Sequence, residues 1–123
     1  MKLLYTSQEA EQLIANLLEC SGWKILARNY RWIGTEIDII ALKKKTIVFV
    51  EVKLRKEAPK SNYELSSLIS PQKRRSLWQG AQLFIHKTEK NYKFDHARFD
   101  LALVTKPRHH QTGLRVNSYF VGI

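Results

Sequence analysis

The hydrophobic residues of this chain change period along its length, and each change predicts an element. From Ala10 they recur at helical spacing, through Leu13, Ile14, Leu17 and Leu18. Thr6-Ser7-Gln8-Glu9 fits a capping box ahead of that stripe, with Thr6 as N-cap and Glu9 at the third helical position. Gly22 ends the helix. Trp23 to Arg31 then reads as a first strand, at the edge of a sheet.

Two runs follow that are apolar except where they turn charged: Gly34-Thr35-Glu36-Ile37-Asp38-Ile39-Ile40-Ala41-Leu42, and Ile47-Val48-Phe49-Val50-Glu51-Val52-Lys53. Their β-branched and aromatic content predicts strands, and Lys43 to Thr46 between them predicts a hairpin. Strand side chains alternate between faces. Ile37, Ile39 and Ala41 are therefore expected on one face, matched by Val48, Val50 and Val52 on the next strand. Matching apolar face to apolar face fixes the parity of the register. A loop of two or four residues satisfies it, and either sets Asp38 across from Glu51 and Glu36 across from Lys53.

Like charges directly opposite on a sheet are destabilising. Two carboxylates held that close need a proton, a cation or a metal between them. Paired oxygen donors beside Lys53 suit Mg²⁺ next to a catalytic ammonium. A solvated face with a Glu36–Lys53 ion pair is the alternative. The run into Glu51 is apolar on both faces, which places it at the sheet centre, where uncompensated charge is costly. That favours a site.

Past Lys53 the pattern lapses. Lys56 to Ile69 has no sustained periodicity and reads as a mobile loop, either holding substrate or simply disordered. Ser70-Pro71 opens a second long helix, Ser as N-cap and Pro at the first helical position. Leu77, Ala81, Phe84 and Ile85 supply its core face. Lys73, Arg74 and Arg75 crowd its first turn, where positive charge opposes the helix dipole. They form a phosphate grip or a solvated basic face. Arg28 and Arg31 on the edge strand contact phosphate or keep that edge solvated. Trp78 is expected in the core, with a stacking platform for a splayed base as the alternative. Arg98 to Val104 and Arg115 to Val121 read as the last strands, with Asp100 paired to an arginine. His109-His110 are neighbours whose side chains point apart, a loop rather than a metal site.

The element order of helix, strand, hairpin, helix, strand, strand predicts one α/β domain, residues 1–123, with a central mixed sheet flanked by helices. At 123 residues, 44% hydrophobic and 26% charged, the chain suits a single globular domain and not a disordered one. No apolar run reaches the length of a membrane span. Met1 to Tyr5 turns polar at Thr6 and carries no signal-peptide core. The single cysteine, Cys20, excludes an internal disulfide framework and points to a reducing cytoplasm. Lys and Arg number 21 against 11 Asp and Glu, a formal net charge of +10. So large an excess is best used on a polyanion, chiefly nucleic acid. A membrane surface is disfavoured, because no basic amphipathic helix with a clean apolar face is present. The sequence holds no repeats, no Gly-rich phosphate loop and no Ser or Cys nucleophile paired with a base.

Asp38 followed by Glu51-Val52-Lys53 resembles the D…ExK signature of the PD-(D/E)XK nuclease superfamily. The wider set of Glu11, Gly22, Asn29-Tyr30-Arg31, Gly34-Thr35-Glu36-Ile37-Asp38, Phe49-Val50-Glu51-Val52-Lys53 with Arg55, Lys73, Ala81 and Arg98-Phe99-Asp100 resembles the YraN-type family of bacterial proteins. The resemblance fades after about Thr105. One departure is Ala10-Glu11 where the family tends to have Gly-Glu; Ala suits a helix better than Gly. The family is similar to archaeal Holliday-junction resolvases. The resemblance implies a restriction-endonuclease-like fold and a metal-dependent nuclease acting on DNA, branched DNA by analogy. Asp38 and Glu51 would bind Mg²⁺ or Mn²⁺, with Glu11 as a third acidic group and a backbone carbonyl near Val52. Lys53 would orient the attacking water or stabilise the developing charge, and Glu36 would tune Lys53 or join an outer metal shell. Lys73, Arg74, Arg75, Arg31 and Arg55 are the expected nucleic-acid contacts. Symmetric cutting would require a homodimer. A nuclease-like domain that binds nucleic acid without turnover is the alternative.

Overall fold

A strand that is buried on both faces organises the domain. The structure is a computed structural model and describes residues 5–107 and 113–122; His109-His110 lie outside these. The elements are α1 (Ser7–Cys20), β1 (Lys24–Trp32), β2 (Thr35–Lys43), β3 (Thr46–Arg55), α2 (Asn62–Ser66), α3 (Pro71–Thr88), β4 (His96–Thr105) and β5 (Arg115–Val121). The strands form one five-stranded sheet in the order β1-β2-β3-β4-β5. β3 and β4 are parallel and every other neighbouring pair is antiparallel. A parallel pair needs a long crossover, and the segment carrying α2 and α3 provides it. β3 takes the central place that its unbroken apolar run predicted.

The starts of the two long helices are set by local chemistry. Thr6 Oγ1 accepts from the Glu9 N–H while Glu9 reaches back to the Thr6 N–H, a closed capping box. Ser70 Oγ accepts from the Lys73 N–H, with Pro71 in the first turn. Each helix then covers one face of the sheet. Ala10, Ile14, Ala15 and Leu18 of α1 pack on Ile39, Ala41, Val48, Val50, Val52, Ala102 and Val104. Leu77, Ala81 and Phe84 of α3 pack on Ile37, Ile40, Ile47, Phe49 and Leu101. Gly80 brings α3 close to the β1–β2 hairpin: a Cβ there would meet Ile37 Cδ1 at 3.3 Å and Trp32 Cβ at 3.4 Å.

Three expectations are corrected. Ile37 does not share a face with Ile39 and Ala41; it joins Ile40 under α3. Residues two apart on opposite faces mean that the alternation of β2 slips by one place, and the slip falls at Asp38. Second, the segment from Lys56 to Ile69 contains α2, one helical turn whose N-cap Ser61 accepts from the Glu64 N–H at 3.1 Å. Five residues are too few to leave a periodic signature. Third, Trp78 is not in the core: it is 48% exposed and rests on Phe99, ring centroids 5.6 Å apart.

Candidate active site

The slip in β2 builds the site. The β2–β3 ladder runs from Lys43–Thr46, across a two-residue turn, to Ile39–Val50. That register, continued one step, would pair Asp38 with Glu51 as the sequence predicts. The ladder ends there instead, and β2 goes on pairing only with β1, through Ile37–Tyr30 and Glu36–Arg31. Into the opening between the strands comes the Asp38 side chain. Its Oδ2 accepts the Val52 N–H at 2.8 Å. A carboxylate thus does what a strand carbonyl does elsewhere in the sheet.

Asp38 and Glu51 are both buried. The Asp38 carboxyl is pushed up to about 8 from its ordinary 3.8. Burial is the largest cause, followed by a hydrogen bond with Glu51 and repulsion from its charge. The Val52 N–H pulls the other way, and Glu11 adds a smaller repulsion. Glu51 Oε2 is buried and has no hydrogen-bond partner among the described residues. Two ammonium groups flank it at ion-pair distance, Lys73 Nζ at 3.6 Å and Lys53 Nζ at 3.8 Å. A buried, undonated carboxylate oxygen is expensive, and this one lies beside a second carboxyl that burial, first of all, pushes towards its protonated form. Such a pair fits a hard divalent cation, which takes oxygen ligands.

The structure places the other expected residues as follows. Glu11 is buried on α1, and its Oε1 accepts from Asn29 Nδ2 at 2.8 Å. Among the described residues, no three or more His, Cys, Asp or Glu side chains form a group that could hold a metal ion. Asp38 and Glu51 converge as a pair, with Glu11 felt at Asp38 through its charge. Glu36 is not across from Lys53. It meets Arg31 Nη2 at 3.4 Å and Asn29 Nδ2 at 3.0 Å, because the strands have already parted where the predicted pair would sit. Lys73 lies against Glu51 and also lines a groove of about 620 Å³ with residues 31–36 of the β1–β2 hairpin. Arg31, Arg74 and Arg75 are exposed. Arg55 is exposed as well, and its Nη1 donates to the Leu54 carbonyl. Arg28 donates to Gln12 Oε1 on α1.

Asn29 is the residue that the site reading missed. Its φ is 52°, a left-handed conformation inside a strand, which Asn tolerates better than most side chains. There its amide nitrogen spans Glu11 from one helix and Glu36 from the next strand. The available signal was its place in Asn29-Tyr30-Arg31. Asp100, by contrast, is a fully buried carboxylate with a structural role. It accepts from Arg98, from the Tyr119 hydroxyl at 2.7 Å and from the Gly122 N–H at 3.0 Å. Burial, then that bond to Asp100, raises the Tyr119 phenol.

Among the described residues, no helix is long and apolar enough to cross a membrane. The model of uncharacterised protein family UPF0102 matches residues 10–104. A UPF0102 protein of Syntrophus aciditrophicus is 40% identical over 103 residues, 83% of this chain and 77% of that one. One from Geobacter sulfurreducens is 38% identical over 95 residues, 77% and 71%. One from Prosthecochloris aestuarii is 38% identical over 78 residues, 63% of this chain and 60% of its own length. With Prosthecochloris and Chlorobium relatives the match thus spans about three fifths of their length. The family match holds the site residues from Glu11 to Lys73, and the chain belongs to uncharacterised protein family UPF0102.

Proposed function

We propose that this domain is a metal-dependent nuclease of restriction-endonuclease-like fold, hydrolysing phosphodiester bonds in DNA. The observation that carries the reading is the buried Asp38–Glu51 pair, with one carboxyl pushed up to about 8 and one buried oxygen lacking a donor. Asp38 and Glu51 would hold Mg²⁺ or Mn²⁺ through oxygen. When bound, such an ion lowers the pKa of a coordinated water and neutralises charge at the scissile phosphate.

The remaining roles belong to the chain. Lys53 donates to the incoming water or to the charge that develops on phosphorus oxygens. Lys73, in the first turn of α3, holds the phosphate beside Glu51. Asn29 fixes Glu11 and Glu36 around the pair, and the basic surface brings the polyanion in. Branched DNA is the substrate that the likeness to resolvases suggests. Cutting both strands symmetrically would take two copies of the domain. A reducing cytoplasm suits a chain whose Cys20 is free.

A second reading has one observation in its favour. Glu51 already has two ammonium groups at ion-pair distance without any metal, as in a module that binds nucleic acid without cutting it. Cleavage of end-labelled duplex, single-stranded and four-way-junction DNA separates the two. Wild type would be assayed beside Asp38→Asn in Mg²⁺, Mn²⁺ or EDTA. Metal-dependent cutting abolished by the substitution supports the nuclease. Intact DNA in every lane, with salt-sensitive binding, leaves the binding module.

A further inference from the structure

A second cavity, of about 320 Å³, opens at the same end of the sheet as the carboxylate pair. Its walls come from three adjacent strands. Lys56 follows β3, Thr105 and Lys106 lie at the end of β4, and Arg115 and Asn117 lie on β5. The sheet brings them together: Arg55 pairs with Thr105, Thr105 pairs with Arg115, and the Lys106 N–H donates to the Arg55 carbonyl at 3.1 Å. Three cationic side chains therefore converge from positions far apart in sequence. The acid at the rim, Glu57, has a cation of its own in Lys60, 3.9 Å away. Thr105 and Asn117 add a hydroxyl and an amide as donors. A concave, donor-rich, positively charged wall is suited to a phosphate oxyanion. It also lies beyond the carboxyl ends of the parallel strands β3 and β4, where open α/β sheets receive ligands.

Glu51 pairs with Leu101, four residues before Thr105 on β4. At about 3.3 Å per residue the cavity lies about 13 Å further along the strands than Glu51. Duplex phosphates advance about 3.4 Å along the helix axis per step while also turning about it. We propose that this cavity is a second phosphate subsite, holding the backbone of the bound nucleic acid a few nucleotides from the bond that faces Asp38 and Glu51. The proposal rests on the nucleic-acid reading of that pair and gives it a minimum substrate length.

The test uses a fluorescein-labelled duplex of about 20 base pairs in EDTA, with binding followed by anisotropy across a NaCl series. The double variant Lys106→Gln/Arg115→Gln is expected to bind more weakly than wild type. Its slope of log K against log salt is expected to be shallower by about 0.9, the share of one phosphate contact. Lys90→Gln/Lys93→Gln, at the opposite end of the sheet, is expected to keep the wild-type slope. Equal slopes for wild type and Lys106→Gln/Arg115→Gln would overturn the subsite and leave the nucleic-acid reading standing. Inorganic phosphate raising the melting temperature of wild type but not of that variant, with duplex binding alike in both, would reassign the cavity to a free anion. Wild type that fails to bind the duplex would sink the nucleic-acid reading itself, and the subsite with it.

Discussion

The Val52 N–H donates to Asp38 Oδ2 at 2.8 Å across the place where β2 leaves β3. A backbone donor of the central strand is thereby satisfied by one half of the buried carboxylate pair. The bond fixes Asp38 without demanding its charge, since an amide oxygen accepts equally well.

Asp38→Asn should therefore stabilise the cation-free protein, in a pH-dependent way. The folded carboxyl sits at about 8, above its ordinary 3.8, so the folded state keeps a proton that the unfolded state releases. Wild-type stability is fully present below the unfolded value and is lost as pH rises towards about 8. Thermal melts in EDTA should show Asp38→Asn several degrees above wild type near pH 8 and close to it near pH 4. Mg²⁺ should close the gap near pH 8 by stabilising wild type alone.

Lys53 and Lys73 both face Glu51 Oε2, but their losses should read out differently. Lys53→Ala is expected to lower the cleavage rate by about 10²–10³-fold with DNA affinity nearly unchanged, the pattern of a group acting on developing charge. Lys73→Ala is expected to weaken binding and reduce the salt slope by about 0.9, the share of one phosphate contact. Single-turnover cleavage beside anisotropy titrations checks both.

Asn29 should be separable into backbone and amide. Asn29→Gly keeps the left-handed φ of 52° without strain and removes the amide, whereas Asn29→Ala adds a conformational cost of about 1 kcal/mol. Both should lose cleavage to a similar extent as Glu11 and Glu36 are released. Only Asn29→Ala should melt lower, by a few degrees. Cleavage at the wild-type rate in Asn29→Gly would rule out the amide bridge as part of the site.

Phe49 is fully buried, with Phe84 and Phe99 rings at 6.3 and 5.3 Å. Phe49→Ala is expected to cost about 3–5 kcal/mol and to lower the melting temperature by more than 10 °C, on the order expected for a domain of this size. Loss of activity in this variant should follow loss of fold, and circular dichroism would show it.

What could be read from the chain was what short-range chemistry decides. The Thr6–Glu9 box, the Ser70-Pro71 start and the hairpin register all depend on residues within a few positions of each other; the structure keeps the first two, and the register as far as Ile39–Val50. The central place of β3 was also legible, since a run apolar on both faces has no other home. The slip at Asp38 was not, because strict alternation is an assumption about a regular pleat, and the site exists where the pleat fails. That failure moved Ile37 beneath α3 and left Glu36 with Arg31 and Asn29 instead of Lys53. Lys73 was legible as a basic residue at a helix start; that the start abuts Glu51 required the crossover from β3 to β4. Five-residue α2 and half-exposed Trp78 fell below what periodicity resolves.

The irregularity of β1 has a consequence for how copies of this sheet can meet. Its ladder with β2 shifts between Ile25 and Ala27, and Asn29 turns left-handed two residues later. Bulged, charged margins resist the docking of a foreign strand, and Lys24, Arg28 and Arg31 line this one. Strand addition at the β1 margin is thus disfavoured by the strand's own irregularity. The left-handed residue that bridges Glu11 and Glu36 is thus also part of what makes this edge a poor template for another strand.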